Sequence, residues 1–179
     1  MSRFAATNEQ RQPPAKRQLI VLGSTGSIGV NTLEVIDHLK CSGAANMDVV
    51  ALAAGRNVSR LLAQARVYNP KAVAIADPEG ATELRRGLPD TIVFAGANAA
   101  LEMVEQVEAT DTVAAVVGAA GLPATLAAIR KSQRISLANK ETLVAAGAMV
   151  SPLTKEHSAI LLPVDSEHSA LHQCLQDHP

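Results

Sequence analysis

The residues best suited to phosphate binding lie near the start of the sequence, in Gly23-Ser-Thr-Gly-Ser-Ile-Gly29. They follow the apolar run Gln18–Leu22 and precede a helix-like segment. A buried strand, a tight turn and a helix N-terminus present backbone amides to a pyrophosphate. Gly23 would permit the turn, Gly26 would let phosphate approach, and Gly29 would let the helix pack closely on the strand. The alternative is a turn without a ligand, because the spacing differs from the commoner G-x-G-x-x-G.

Arg56 is a second candidate for phosphate binding. It lies in Ala53-Ala-Gly-Arg-Asn57, at the end of the second predicted strand. In an NAD site, a carboxylate at the end of this strand binds the ribose 2′-hydroxyl. This sequence has no acid there, and a guanidinium suits the 2′-phosphate of NADP. Together with the glycine turn, Arg56 favours NADP as the cofactor. The alternative for Arg56 alone is a solvated loop arginine.

A third polar cluster, Leu137-Ala-Asn-Lys-Glu141, follows a predicted strand and opens a predicted helix. Because ligands of open parallel sheets lie beyond the carboxyl ends of the strands, the cluster is expected on the same edge as the glycine turn. Lys140 would hold an oxyanion or a substrate hydroxyl there. The alternative is a plain helix start, with Asn139 as N-cap and Glu141 favoured by the helix dipole.

Two carboxylates in the last cluster, Pro163-Val-Asp-Ser-Glu-His168, are suited to a hard divalent cation. Asp165 and Glu167 are two residues apart, so an extended backbone would direct both carboxylates to one side. This spacing predicts a site for Mg2+ or Mn2+. Ser166 and His168 add a hydroxyl and a titratable ring. Since such cations take about six ligands, two carboxylates do not complete the site. The alternative is a helix start that Asp165 caps, with Glu167 in the first turn.

Short apolar runs alternate with amphipathic segments along the chain. The predicted strands are Gln18–Leu22, Asp48–Ala54, Ala72–Ile75, Thr91–Ala95, Thr112–Val117, Arg134–Leu137 and Ile160–Val164. The predicted helices are Ile28–Leu39, Ser59–Tyr68, Pro78–Arg86, Asn98–Val107, Pro123–Lys131, Glu141–Val150 and Glu167–Gln176. Continuous apolar character in the strands indicates a parallel sheet covered on both faces. The alternation indicates a doubly wound, Rossmann-like α/β fold.

The predicted domain organisation has three parts. Residues 1–17 carry basic residues and prolines without an apolar stretch, which indicates a disordered tail and no secretory signal. Residues 18–150 contain the regular units and form the predicted NADP-binding domain. Residues 151–179 are expected to begin a second, catalytic domain, because one strand and one helix are too few for a core of their own.

Composition narrows the function classes. Hydrophobic residues make up 47% of the chain and aromatic residues only 2%, so the core must consist of aliphatic side chains. A net charge of -1 indicates no nucleic-acid partner and no anionic membrane. The isolated Cys41 and Cys174 fit no disulfide or metal pattern, and a cytoplasmic location is expected. The uncharged stretch Thr112–Ile129 contains two glycines and a proline, which favour a strand, a turn and a helix over a membrane span.

The four motifs together resemble the 1-deoxy-D-xylulose 5-phosphate reductoisomerase family, in order and approximate spacing, from Gln18 to Leu175. The resemblance implies an NADPH site formed by Thr25, Gly26, Ser27, Ile28, Gly55, Arg56, Asn57, Asn139 and Glu141. It also implies a substrate site formed by Lys140, Ser166 and His168 and a cation site formed by Asp165 and Glu167.

The activity implied by the resemblance is conversion of 1-deoxy-D-xylulose 5-phosphate into 2-C-methyl-D-erythritol 4-phosphate, the committed step of non-mevalonate isoprenoid synthesis. Its chemistry is a retro-aldol and aldol rearrangement followed by hydride delivery. A hard cation suits enolate chemistry as a Lewis acid, and NADPH supplies hydride.

The length of the chain departs from the family pattern, since family members are more than twice as long. The third cation ligand, the substrate-phosphate pocket, a closing loop and a helical C-terminal domain are therefore expected beyond residue 179. The full-length protein is expected to be a homodimer, and this chain alone is expected to be inactive.

The sequence excludes two other enzyme classes and leaves one class of non-catalytic protein open. A short-chain dehydrogenase needs Tyr-x-x-x-Lys, but the sole tyrosine, Tyr68, is followed at that spacing by Ala72. A semialdehyde dehydrogenase needs a cysteine at a strand end, where neither Cys41 nor Cys174 is predicted. A nucleotide-binding module without catalytic activity stays open as the alternative.

Overall fold

The structure, a computed structural model, describes residues 15–176, apart from the side chains of residues 140–143, 145 and 176. The described strands are β1 (Arg17–Leu22), β2 (Met47–Ala54), β3 (Ala72–Ile75), β4 (Ile92–Ala95), β5 (Asp111–Ala114), β6 (Arg134–Leu137) and β7 (Ile160–Pro163). The described α-helices are α1 (Ser27–Cys41), α2 (Val58–Tyr68), α3 (Ala81–Gly87), α4 (Ala99–Gln106), α5 (Leu122–Arg130), α6 (Lys140–Glu156) and α7 (Ser166–Gln176). Short 3-10 turns precede α3 and α5.

The strands form one parallel sheet in the order β4-β3-β2-β1-β5-β6-β7. The chain builds outward from β1 in one direction through β2, β3 and β4, and then returns to β5 on the other side of β1. Ligands of such sheets bind outside the carboxyl ends of the strands, where the order reverses. The predicted doubly wound α/β fold is confirmed, and its switch point lies between β1 and β5.

Two hydrophobic clusters cover the two faces of the sheet. One joins the strands to α4, α5 and α6, and the other joins them to α1, α2 and α3. Along β1, Ile20 and Leu22 belong to the first cluster, whereas Leu19 and Val21 belong to the second. Successive strand residues point to opposite faces, so a sheet covered on both sides requires apolar residues at both. This explains why the strands lack a polar–apolar alternation.

The region after residue 150 continues the same sheet. Helix α6 runs through Pro152 to Glu156, so the predicted helix end at Val150 is wrong. Val150 is fully buried and Leu153 packs against the core, and this packing outweighs the backbone hydrogen bond that Pro152 cannot donate. Strand β7 then pairs in parallel with β6. A functional division between residues 18–150 and 151–179 stays a prediction.

Two further sequence predictions concern the N-terminal tail and the uncharged stretch. Most of the predicted tail lies outside the described residues, and Arg17 is already the first residue of β1. The stretch Thr112–Ile129 contains a strand, a turn and a helix, as predicted, although β5 ends at Ala114 and not at Val117. In the part of the chain that the structure describes, no helix is both long and apolar enough to cross a membrane.

An ion pair joins the amino ends of β1 and β5. Asp111 is buried, and its carboxylate accepts hydrogen bonds from Arg17 Nε at 2.9 Å, from Arg17 Nη2 and from Thr110 Oγ1 at 2.6 Å. The hydrogen bond to Asp111 raises the pKa of Arg17 above its ordinary value. Because the two residues are 94 positions apart, the pair aligns the two central strands across the switch point.

We expect Arg17→Met to destabilise the fold by about 2–4 kcal/mol, since it leaves a buried carboxylate without its charge partner. Lys16→Met is the matched control, because Lys16 makes an exposed ion pair with Asp48. Such pairs contribute about 0–1 kcal/mol. Urea unfolding of both variants measures the two free energies of unfolding. Equal losses would contradict the role assigned to the Arg17–Asp111 pair.

Candidate functional site

The turn after β1 is packed so tightly that two of its glycines have no room for a side chain. Gly23 has a φ of 78°, and a Cβ built on it would lie 2.5 Å from the carbonyl oxygen of Ala115. A Cβ on Gly29 would lie 2.3 Å from the carbonyl oxygen of Gly23. Only glycine fits either position without moving the backbone. Both predicted structural roles, the tight turn and the close approach of α1, are confirmed.

Helix α1 begins at the carboxyl edge of the sheet with an uncapped N-terminus. Gly26 is the N-cap, and no side chain accepts a hydrogen bond from the first-turn amides. Those amides have no acceptor within the helix, and the helix dipole places partial positive charge there. A Cβ on Gly26 would meet only the Gly23 carbonyl oxygen, at 3.4 Å. The backbone is therefore open to an anion at this position.

Helix α2 holds the same turn from the side, through residues that the sequence analysis missed. Ser24 is fully buried, and its Oγ donates to Oε1 of Gln64 at 2.8 Å. Nε2 of Gln64 donates to the Ser24 carbonyl at 2.8 Å, and Nη1 of Arg60 donates to the Thr25 carbonyl at 3.1 Å. Arg60 and Gln64 lie one helical turn apart in the sequence, so they could be assigned to one face of α2. No local sequence pattern identifies Ser24 and Thr25 as their hydrogen-bond partners.

Arg56 follows β2 and is exposed, and its side chain makes no hydrogen bond or ion pair with any described residue. It lines a cavity of about 570 Å3. Asp77 and Glu79, which follow β3, line the same cavity, although the sequence pattern did not place them there. Asn57 has a structural task as well, because its Oδ1 caps α2 by accepting from the Arg60 amide at 3.0 Å.

A groove of small residues extends from Arg56 along the carboxyl ends of the strands. A cavity of about 140 Å3 lies at its middle and is lined almost wholly by glycine and alanine. This cavity shares Gly55 and Ala120 with the Arg56 cavity, and Val116 with a third cavity of about 250 Å3 that reaches Asn139 and Asp165. We call the three together the strand-end groove. It connects the candidate cofactor residues with the candidate cation residues.

Asn139 joins the end of β6 to the loop after β5. It is buried, and its Nδ2 donates to the carbonyls of Val116 and Gly118, both at 2.6 Å. Both amide hydrogens of Asn139 are thereby used to hold the loop that lines the groove. Lys140 and Glu141 begin α6, but their side chains lie outside the described residues, and their roles stay predictions.

The candidate cation residues begin a helix. Helix α7 starts at Ser166, so the extended backbone expected from Asp165 to Glu167 is wrong, and the helix-start alternative is the observed structure. Asp165 Oδ2 accepts from the His168 amide at 3.3 Å and contacts His168 Nδ1 at 2.6 Å, and this pairing lowers the pKa of Asp165. Ser166 Oγ donates to Glu167 Oε2 at 2.9 Å. Capping favours this local helix over an extended chain.

The oxygen donors suit a hard cation in kind but not in number. Asp165 lines the third cavity of the strand-end groove, where a ligand could reach it. Among the described residues, no group of three or more His, Cys, Asp or Glu side chains is arranged to hold a metal. Since such cations take about six oxygen ligands, a cation bound here would need donors besides these two carboxylates.

Known proteins resemble this chain closely over part of their length. Residues 19–147 match the family model described as 1-deoxy-D-xylulose 5-phosphate reductoisomerase. Proteins of that name from Thermosynechococcus vestitus and Zymomonas mobilis are 44% and 46% identical over 171 and 166 residues. These matches cover 93% and 90% of this chain but 40% and 41% of the relatives. The chain thus spans about two-fifths of the length of these curated relatives.

Solved structures agree with the sequence comparison. The Zymomonas mobilis 1-deoxy-D-xylulose 5-phosphate reductoisomerase in complex with NADPH superposes with a TM-score of 0.83 at 44% identity, over 91% of this chain and 42% of that one. A DOX-P reductoisomerase in complex with magnesium superposes with a TM-score of 0.82 at 39% identity, over 89% and 40%.

We expect Gly29→Ala to destabilise the protein by roughly 2–4 kcal/mol, because its Cβ would meet backbone atoms that cannot rotate away. Gly147→Ala is the matched control: Gly147 lies inside α6, and no atom is within 4 Å of its added Cβ. That change should stabilise by about 0.5–1 kcal/mol through helix propensity. Urea unfolding distinguishes the two, and a Gly29→Ala variant as stable as the parent would refute the packing argument.

Proposed function

Because the chain belongs to the 1-deoxy-D-xylulose 5-phosphate reductoisomerase family, we propose that it forms the NADPH site and part of the cation and substrate sites of such an enzyme. The activity proposed is the conversion of 1-deoxy-D-xylulose 5-phosphate into 2-C-methyl-D-erythritol 4-phosphate by rearrangement and reduction. The observation that carries the proposal is the strand-end groove, which has an uncapped helix N-terminus beside it and an unpaired guanidinium at one end among the described residues. Homodimer formation and a cytoplasmic location stay predictions.

The groove fits a dinucleotide on its own geometry. The glycines and the short alanine side chains along it leave space at the switch point, where open α/β sheets bind such ligands. The backbone amides of Thr25, Ser27 and Ile28 would hold the pyrophosphate beside Gly26, with the hydroxyls of Thr25 and Ser27 as further donors. Arg56 would hold the 2′-phosphate through paired hydrogen bonds. Gly55 and Asn57 would flank the same end of the cofactor.

The other end of the groove fits a cation and a sugar phosphate less completely. Asp165 and Glu167 would supply carboxylate oxygens to Mg2+ or Mn2+, and His168 would orient the Asp165 carboxylate through the observed contact. Ser166 and Lys140 would hold substrate oxygens. The chemistry supplied by bound NADPH is hydride transfer, and that supplied by a bound hard cation is Lewis-acid polarisation of substrate oxygens.

A nucleotide-binding module without turnover is the second candidate function. It is favoured by one observation, namely that the described residues offer two candidate carboxylates and no three-residue metal cluster. The two candidates share the cofactor site and differ only in catalysis.

We expect Arg56→Ala to weaken NADPH binding by roughly 10- to 150-fold, the loss of one charged contact of about 1.5–3 kcal/mol. NADH affinity should stay unchanged, because NADH lacks the 2′-phosphate. Arg66→Ala removes the same charge from an exposed position at the far end of α2 and serves as the control. Calorimetric titration with both cofactors measures the effect. Equal affinity of the parent chain for NADPH and NADH would contradict the assignment of Arg56.

We expect the 179-residue chain to bind NADPH without oxidising it in the presence of 1-deoxy-D-xylulose 5-phosphate and Mn2+. Two carboxylates leave most of the cation coordination to water, so its affinity should be weak. The measurement is NADPH absorbance over time, with Asp165→Asn as the control. Turnover that disappears in the control would show a working site built from these residues, and the binding-module candidate would be excluded.

A further inference from the structure

Side chains of α2 hold two peptide groups of the glycine turn by hydrogen bonds, and we call Arg60 and Gln64 with these bonds the clamp. The carbonyl of Ser24 accepts from Gln64 Nε2 at 2.8 Å, and the carbonyl of Thr25 accepts from Arg60 Nη1 at 3.1 Å. The Gly26 amide, on the other side of the second peptide, donates to the Gly23 carbonyl at 3.1 Å. The Thr25–Gly26 peptide is thus fixed at both ends, and the Ser24–Thr25 peptide is fixed at its carbonyl.

The hydrogen bond from Gln64 to the Ser24 carbonyl fixes the direction of the Thr25 N–H bond. None of the described peptides is cis, and in a planar trans peptide the C=O and N–H bonds point in opposite directions. Since Gln64 draws the Ser24 carbonyl toward α2, the N–H of Thr25 must point away from α2. Within the described residues that N–H donates to no backbone or side-chain acceptor. It is therefore available to a ligand.

The same helix also carries the other candidate phosphate contact. Arg56 lies two residues before α2, and Asn57 caps the helix by accepting from the amide of Arg60. Helix α2 is therefore one rigid element that fixes the cap next to Arg56 and, through Arg60 and Gln64, the peptides of the glycine turn. Helix α2, which is 11 residues long, thus connects the two candidate phosphate-binding segments, the glycine turn and Arg56.

We propose that Gln64 and Arg60 are positioning residues of the cofactor site, which aim the Thr25 amide at a phosphate oxygen of the dinucleotide. This inference rests on the proposed NADPH site. Gln64 acts through Ser24, and Arg60 acts through Thr25; neither side chain contacts the cofactor. A positioned amide is used by NADPH and NADH alike, because both contain the pyrophosphate. The clamp thus controls affinity for both cofactors and leaves the choice between them to Arg56.

The experiment compares four variants of the full chain by calorimetric titration with NADPH and NADH. Gln64→Leu removes both hydrogen bonds to Ser24. It should raise the dissociation constants of NADPH and NADH by about ten-fold, because the Thr25 amide would lose its charge-assisted hydrogen bond to a phosphate oxygen. Ser24→Ala removes only the hydroxyl bond and keeps the bond to the carbonyl, so it should lower stability and weaken both cofactors less than Gln64→Leu does. Arg60→Ala should weaken both cofactors equally. Gln106→Leu, on an exposed position of α4, is the matched control.

A spectroscopic readout separates positioning from stability. The amide resonance of Thr25 in 15N-labelled protein should shift on addition of NADPH in the parent chain and in Ser24→Ala, and its shift should be reduced in Gln64→Leu. Unchanged affinity in a folded Gln64→Leu variant would overturn the inference and leave the proposed function intact. An Arg60→Ala variant that loses affinity for NADPH alone would overturn the positioning role of Arg60. A parent chain that binds neither cofactor would overturn the proposed function and this inference with it.

Discussion

The structure depends on the close approach of three backbone segments at the turn between β1 and α1. The carbonyl of Ala115, just after β5, occupies the space of a side chain at Gly23, and the carbonyl of Gly23 occupies that of a side chain at Gly29. This contact joins the two strands of the switch point to the first turn of α1. Because nothing larger than glycine fits, the N-terminus of α1 is held at the carboxyl edge of the sheet. The proposed binding of an anion at this site follows from that placement.

Small residues serve the packing of the sheet and the shape of the groove together. Alanines such as Ala51, Ala72 and Ala74 are fully or almost fully buried in the strands, on the face of the sheet that α4, α5 and α6 cover. Their short side chains let these helices lie close to the sheet. At the carboxyl ends of the strands, residues of the same kind line a cavity together with Ala100 of α4 and Ala124 of α5. There the short side chains leave space instead of a packed contact. One compositional feature, many alanines and few aromatics, therefore produces both the close-packed core and the space in which we propose that a dinucleotide binds.

The two ends of the groove are held by different kinds of contact. At the cofactor end, Ser24 and Thr25 are fixed by side chains of α2 that lie about 35–40 positions away, so the turn keeps its shape through tertiary packing. At the cation end, the Asp165 carboxylate is engaged by His168 and that of Glu167 by Ser166, all within the first turn of α7. Local contacts of this kind set the helix start but bring no third ligand. The cofactor end is therefore the more completely preorganised of the two.

The sequence by itself determined the order and type of the elements and the position of the glycine turn. Continuous apolar runs and helical periodicity are local properties, and the positive φ of Gly23 and the close approach at Gly29 arise within one turn. Only the tertiary structure decided that Gln64 would orient the turn, that Asp77 would face the cavity of Arg56, and that α6 would continue through Pro152. Each of these depends on contacts between segments far apart in the chain, or on packing that outweighs a local preference. Spacing along a sequence does not specify such contacts.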